Sequence, residues 1–243
     1  MGRKKRDIAT SAAGKDVDDF LARVASTPSV RAADVRGRLL FAMDATASRE
    51  PSWDNACQIQ GDMFAQTATL GGLDVQLAYY RGFSEFRATP WISTSADLIP
   101  YMTRVRCLGG HTQVERVLRY AARETAQRRI NALVFIGDCL EEEVDSVCAA
   151  AGELGMLGVP CFMFHEGFEP TAANAFQQIA KLTQGAYCRF DASSAAQLKD
   201  LLAAVAVFAA GGRKALADFS RDKTQMVRRI AHQVSPKEGT RAE

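Results

Sequence analysis

The chain has 243 residues, of which 47% are hydrophobic and 24% are charged, a balance typical of a globular protein rather than a disordered or fibrous one. No apolar run approaches the roughly 18 residues that a membrane-spanning helix needs, so we expect no membrane segment and no membrane partner. The basic residues 1–6 precede no apolar segment, which argues against a secretory signal peptide and predicts a cytoplasmic protein.

The net charge of +2 hides an acidic middle between two basic ends. Residues 1–7 carry four basic groups and one acid, and residues 211–243 carry eight basic groups and four acids. Basic ends are suited to contact nucleic acid or an acidic partner, but they also serve as solvated tails that aid solubility. We expect the second role, and nucleic-acid binding through the ends is kept as an alternative.

The predicted elements alternate between strands and helices along the chain. Residues 1–14 are expected to be a disordered basic segment, and residues 15–35 a short helix with a linker. In chain order, the apolar spacing then predicts strand 37–43, helix 51–70, strand 73–80, strand 85–89, helix 96–106, an amphipathic helix starting at residue 112, strand 131–136, helix 143–157, strand 159–164, helix 172–182, strand 186–190 and helix 194–209.

This alternation predicts one α/β domain over residues 36–209, followed by a basic, partly helical tail over residues 210–243. The expected fold is doubly wound and Rossmann-like, with a mostly parallel central sheet and helices on both faces. Residues 73–80 alternate in polarity and turn tightly into residues 85–89, which predicts a half-exposed strand paired with one antiparallel edge strand.

Polar residues with oxygen donors follow the first predicted strand. Five apolar residues, Leu39 to Met43, predict a strand buried on both faces, and Asp44 comes directly after them. Thr46 and Ser48 follow at alternate positions. Because ligands of open α/β sheets bind at the carboxyl ends of the strands, this cluster of hard oxygen donors predicts a magnesium site.

Two other segments carry oxygen donors to the same predicted edge. Thr112 precedes the amphipathic helix, and Asp138 follows strand 131–136. Together with the first cluster they supply five donors and leave one position of an octahedral cation open to an outside ligand. Each residue also has a structural alternative, since aspartate is common in turns, and Thr112-Gln-Val-Glu115 matches a capping box that only caps its helix.

The three pieces, Asp44-Ala-Thr46-Ala-Ser48, Gly-Gly-His-Thr112 and Phe-Ile-Gly-Asp138, resemble the metal-ion-dependent adhesion site (MIDAS) of von Willebrand factor type A (VWA) domains. The resemblance covers roughly residues 36 to 209. It implies that Thr46, Ser48 and Thr112 give hydroxyl ligands to Mg²⁺ or Mn²⁺, and that Asp44 and Asp138 hold the ion directly or through water.

The same resemblance implies a non-enzymatic binding module in a cytoplasmic multiprotein complex, with a protein partner whose carboxylate completes the coordination. The resemblance also implies an ATPase as a candidate partner in such a complex, and a shift of the last core helix, Ser194 to Ala209, between two states. The sequence departs from the family pattern at Thr46, at His111 and at Cys139. The acids Glu141, Glu142 and Glu143 follow; they are expected to favour the dipole of the helix they precede, or else to repel an acidic ligand.

Two further interpretations concern chemistry rather than binding. A Mg²⁺-dependent hydrolase needs a base near the metal, and His165-Glu166 at the end of strand 159–164 is the candidate pair, although a lone histidine there is more often structural.

The six cysteines form no C-x-x-C pair and the chain has only three histidines, so no zinc site is expected. We expect all six thiols to be reduced.

Overall fold

The computed structural model describes residues 36–67, 72–190 and 195–221. The predicted disordered segment 1–14, the predicted helix and linker 15–35 and the tail from residue 222 onward lie outside these residues.

The strands of the described residues form one sheet, in the order β3-β2-β1-β4-β5-β6. All neighbouring pairs are parallel except β2 with β3, which form an antiparallel hairpin at the edge. The strands are β1 (Gly37–Asp44), β2 (Leu73–Arg81), β3 (Glu85–Ala88), β4 (Ala132–Gly137), β5 (Cys161–Glu166) and β6 (Ala186–Phe190).

The helices cover both faces of this sheet. A short 3-10 turn, Ala47–Arg49, precedes the helices α1 (Glu50–Thr67), α2 (Ser95–Met102), α3 (Val114–Gln127), α4 (Val144–Met156), α5 (Pro170–Leu182) and α6 (Ala195–Arg221). Apolar residues of α1, α2 and α6 pack on one face, and those of α3, α4 and α5 pack on the other. The prediction of a doubly wound, mostly parallel sheet with one antiparallel edge strand is confirmed. Among the described helices, none combines the length and the apolarity that crossing a membrane requires.

Strand β1 lies at the centre of the sheet and is buried on both sides. Leu39, Phe41 and Met43 face α1 and α6, whereas Leu40 and Ala42 face the opposite layer, and all five are at most 1% exposed. The unbroken apolar run therefore reflects two packed faces rather than one. The position of β1 between β2 and β4 brings the ends of three strands next to one another.

Strand β2 differs from its prediction as a half-exposed strand. Asp74 and Gln76 were expected to face solvent, but they are only 8% and 4% exposed. Asp74 accepts a hydrogen bond from the Arg36 guanidinium at 2.6 Å, and the Gln76 amide donates to the Thr89 carbonyl at 2.9 Å. The polar alternation thus marks buried side chains with hydrogen-bond partners inside the fold, although the side-chain oxygen of Gln76 has no partner among the described residues.

Helix α6 contains a kink. The sequence predicts a helix over residues 194–209 and a partly helical tail after it; in the structure two helical segments meet at Gly212, whose backbone is not helical (φ 71°), and the second segment ends at Arg221. Beyond this kink Leu216 is buried, so the second segment also packs against the core. The helix lies so close to the start of β1 that a Cβ on Gly37 would overlap the backbone carbonyl of Ala209.

Candidate metal centre

The two predicted carboxylates come together at the carboxyl edge of the sheet. Asp44 ends β1, Asp138 follows β4, and these strands are parallel neighbours with Met43 beside Ile136. One carboxylate oxygen of each aspartate and the thiol of Cys139 lie within 4.8 Å of one another. The register of β1 with β4 therefore converts two separate sequence positions into one acidic cluster.

The carboxylate of Asp44 is completely buried and held by two hydrogen bonds. The backbone N–H of Thr46 donates to Oδ1 at 2.7 Å, and the hydroxyl of Tyr80 donates to Oδ2 at 3.1 Å. Burial raises the pKa of Asp44, and the hydrogen bonds from Thr46 oppose this rise. A buried carboxylate is costly to keep ionised, and a neighbouring positive charge stabilises its charged form.

The hydroxyl of Ser48 links the segment that follows β1 to the segment that follows β4. Ser48 Oγ donates to Asp138 Oδ2 at 2.7 Å, and the hydroxyl of Thr46 lies 3.5 Å from that of Ser48. The other oxygen of the same carboxylate, Asp138 Oδ1, is buried and has no hydrogen-bond partner among the described residues. A buried acceptor without a partner is costly, and a cation ligated by that oxygen would remove the cost.

The segment that carries Thr112 passes over the end of β1. Upstream of Thr112, the N–H of Leu108 donates to the carbonyl of Ala45 at 3.0 Å. The Thr112 hydroxyl accepts a hydrogen bond from the Glu141 N–H at 2.9 Å, and the Thr112 N–H donates to the Glu141 carboxylate at 3.1 Å. Thr112 is therefore tied to the loop that follows Asp138, and its hydrogen bonds are with that loop rather than with Asp44 or Asp138.

The capping-box alternative for Thr112 is wrong. Helix α3 starts at Val114 after Gln113, whose side chain makes no capping hydrogen bond. Glu142 caps the helix instead, because its carboxylate accepts from the N–H groups of Val114 at 2.6 Å and Glu115 at 2.9 Å. The Thr112 hydroxyl is thereby free of the capping role that the sequence pattern suggested.

The acids after Asp138 also differ from their expected role. Glu141 and Glu142 were expected either to favour the helix that they precede or to repel a ligand, but they bond to Thr112 and to the start of α3. The reason is that unpaired N–H groups at the start of α3 lie beside this loop and attract the carboxylates. Burial raises the pKa of Glu142. Glu143 is exposed and makes no capping hydrogen bond.

The structure adds a residue to the site that the sequence analysis missed. Arg49 is 1% exposed, and its guanidinium lies 3.8 Å from Asp138 Oδ2 and pairs with Glu166. It follows Ser48 directly, yet sequence alone does not separate a buried arginine from a solvated one. The usable signal was electrostatic, since acids that end neighbouring strands need a nearby cation.

His165 contacts the backbone of the candidate metal centre. Its side chain is fully buried, with Nδ1 3.0 Å from the Tyr187 hydroxyl and Nε2 3.1 Å from the backbone carbonyl of Asp138. Burial lowers the pKa of His165, which favours the neutral ring. Both ring nitrogens are occupied and Glu166 is paired with Arg49, so the geometry matches the structural interpretation of this histidine.

Solved structures of VWA domains are similar to this chain in fold. The VWA protein from Catenulispora acidiphila aligns with a TM-score of 0.58 and 16% identity, over 69% of this chain and 42% of that one. The SpRpn10 VWA domain aligns with a TM-score of 0.55 and 12% identity, over 69% and 94% of the two chains. The fold of this chain is that of a VWA domain. The resemblance expected from the three sequence pieces is confirmed at the level of fold.

A further solved structure of similar fold contains a metal ion. Proximal thread matrix protein 1 from the mussel byssus, solved with zinc in its MIDAS motif, aligns with a TM-score of 0.51 and 14% identity. That alignment covers 73% of this chain and 48% of the mussel chain, so this chain spans less than half of that protein. No family model and no curated protein matches the sequence.

Proposed function

We propose that this VWA-fold domain binds a divalent cation at the carboxyl edge of its sheet and, through it, a protein partner. The proposed donors are the oxygens of Asp44, Thr46, Ser48, Thr112 and Asp138. A cation held there would offer an open coordination position to a carboxylate from outside the domain. The observation that carries the proposal is the unpartnered buried oxygen of Asp138, within reach of a second carboxylate.

The hydrogen bonds of the donor residues suit this role. The Asp44 carboxylate is fixed by Thr46 and Tyr80, and the Ser48 hydroxyl is directed at Asp138. Preset donors of this kind lose little freedom when they bind a cation. Arg49 balances part of the negative charge, so the acidic cluster is tolerated inside the fold before a cation arrives.

The donor chemistry favours Mg²⁺ or Mn²⁺, because carboxylate and hydroxyl oxygens are hard ligands. The Cys139 thiol beside the two carboxylates is a soft donor, which makes Zn²⁺ the natural competitor. The zinc in the mussel VWA-fold protein supports a comparison of the three ions in one experiment.

A carboxylate-bearing protein is the partner that an open coordination position favours, and we propose a non-enzymatic docking role for the domain. A cytoplasmic complex, and an ATPase within it, are part of this proposal on the strength of the family resemblance alone. The hydrolase alternative gains no support from the described residues, since His165 is buried with both ring nitrogens occupied. The basic ends that motivate nucleic-acid binding lie mostly outside those residues.

Isothermal titration calorimetry tests the cation site directly. The wild type is titrated with Mg²⁺, Mn²⁺ and Zn²⁺ and compared with Asp138→Asn, which keeps the shape of the side chain and an acceptor for Ser48. Asp145→Asn is the matched control, because Asp145 is an exposed acid in the first turn of α4. We expect saturable binding that is lost in Asp138→Asn and kept in Asp145→Asn. Equal affinity in all three proteins would refute the proposal.

A further inference from the structure

Two phenylalanines are exposed at the edge of the sheet that carries the candidate metal centre. Phe83 lies in the turn between β2 and β3, and Phe168 lies in the loop between β5 and α5. Each is 79% exposed. Phenylalanine is among the residue types most often buried, and aromatic residues are enriched in protein interfaces relative to the rest of the surface.

The order of the strands places these rings on opposite sides of the metal centre. Asp44 and Asp138 belong to the central pair β1 and β4, whereas Phe83 follows β2 and Phe168 follows β5, the outer neighbours of that pair. The strands β2 and β5 are three strand spacings of about 4.8 Å apart, or about 14 Å. In strand order, the metal centre therefore lies between the two loops that carry the phenylalanines.

Each ring is held in place by a polar neighbour rather than by the core. Phe83 packs edge-on against His111, with ring centroids 5.3 Å apart. The guanidinium of Arg189 lies 4.3 Å from the centroid of the Phe168 ring. Rings that are positioned yet exposed lose little conformational entropy when a partner covers them.

We propose that Phe83 and Phe168 are the side contacts of a docking surface for an extended segment of a partner protein, with the pattern apolar-x-acid-x-apolar. This inference rests on the proposed cation site, to which the central acid binds. In an extended chain, residues i, i+2 and i+4 point to the same side and the outer two are about 13 Å apart. That span matches the separation of β2 and β5.

The charges at this edge support a single acid between apolar residues. Glu141, Glu143 and Asp145 are exposed on the loop and first turn beyond Asp138. They repel a segment that carries several acids, whereas one acid directed at a cation avoids them. The apolar flanks then account for the two rings, which a purely acidic ligand would leave exposed.

A random heptapeptide phage library tests the inference, with the 243-residue chain immobilised in a buffer that contains the cation found to bind in calorimetry. Enriched sequences are expected to carry Asp or Glu with apolar residues two positions before and after, and to be released by a chelator. Phe83→Ser and Phe168→Ser should each weaken the selected peptide about tenfold or more without changing cation affinity. Met156→Ser is the control, since Met156 is 84% exposed at the end of α4, toward the opposite edge of the sheet.

The outcomes separate this inference from the function on which it rests. If the wild type binds no cation in calorimetry, both the proposed function and the docking surface are refuted. Cation binding with no enriched pattern, or with acid-bearing peptides that are indifferent to both phenylalanine variants, overturns the docking surface and leaves the cation site standing. Self-association of the wild type that disappears in Phe83→Ser would assign the rings to a contact between copies of this chain, and would also overturn the proposal.

Discussion

The guanidinium of Arg49 lies 3.8 Å from the carboxylate of Asp138, and the arginine side chain is buried to 1% exposure. The same guanidinium pairs with Glu166 at the end of β5. A positive charge that belongs to the protein itself thus stands beside the carboxylates proposed to hold a cation. Arg49 stabilises the acidic edge and, as a like charge, opposes the cation.

Replacement of this internal charge should separate stability from cation affinity. In the presence of a chelator, Arg49→Met should lower the free energy of unfolding by about 3 kcal/mol, because it leaves the partly buried carboxylates of Asp138 and Glu166 without their partner. The added cation should then raise the melting temperature more than in the wild type, since the competing charge is gone.

Thermal denaturation with chelator and with saturating Mn²⁺ measures both effects. Arg87→Met is the matched control, because the Arg87 side chain is 68% exposed and pairs with Glu85 on the surface. Its unfolding free energy should change by less than about 0.5 kcal/mol. A cation response in Arg49→Met no larger than that of the wild type would show that the arginine does not compete.

Asp44 offers a test in which binding is lost but the fold is kept. Asp44→Asn removes the buried charge and retains an oxygen that accepts from the Thr46 N–H. We expect cation binding to disappear while the melting temperature in chelator stays at or above the wild-type value, because burial disfavours the charged carboxylate. Asp44→Ala removes the acceptor for the Thr46 N–H and leaves the buried Tyr80 hydroxyl with no side-chain partner at this position, and it should cost about 1–3 kcal/mol more. Calorimetry and urea denaturation provide the two readouts, and unchanged affinity in Asp44→Asn would exclude this residue as a ligand.

Thr112 can be tested with a pair of substitutions that differ by one hydroxyl. Thr112→Ser keeps the acceptor for the Glu141 N–H, whereas Thr112→Val removes it. The serine variant should bind the cation like the wild type, and the valine variant should lose affinity and about 0.5–1.5 kcal/mol of stability. Equal affinity in the two variants, measured by calorimetry, would confine Thr112 to fixing the loop after Asp138.

Much of the sheet was predictable because its central strands are apolar on both faces. The run from Leu39 to Met43 has a single physical explanation, burial between two layers, and the acid that follows it marks the carboxyl end. The edge hairpin was equally accessible, since a glycine turn separates two short alternating segments. Because β1 and β4 are neighbours in the sheet, the aspartates that follow their apolar runs lie close together.

The parts that sequence missed depend on contacts between distant residues. Asp74 and Gln76 alternate as surface residues do, but they are buried, and they form hydrogen bonds with Arg36 and Thr89 inside the fold. The capping pattern at Thr112 is local, whereas the true cap of α3 comes from Glu142, 28 residues away from Val114. A local pattern indicates which hydrogen bonds a side chain is able to form, but tertiary packing decides which partner it contacts.

Glu142 gives the domain a pH dependence that can be isolated by substitution. Burial raises its pKa above the ordinary value of 4.5, although hydrogen bonds from the Glu115 and Val114 N–H groups oppose the rise. The folded protein therefore holds this proton more tightly than the unfolded chain, and stability falls as pH rises from about 4.5 through the raised pKa.

Glu142→Gln keeps an oxygen acceptor and does not titrate, so its stability relative to the wild type should increase over that window and then level off. Urea denaturation from about pH 4 to about pH 8 measures the difference. Glu143→Gln, an exposed neighbour, should give a difference that does not vary with pH, and a flat difference for Glu142→Gln would contradict the argument.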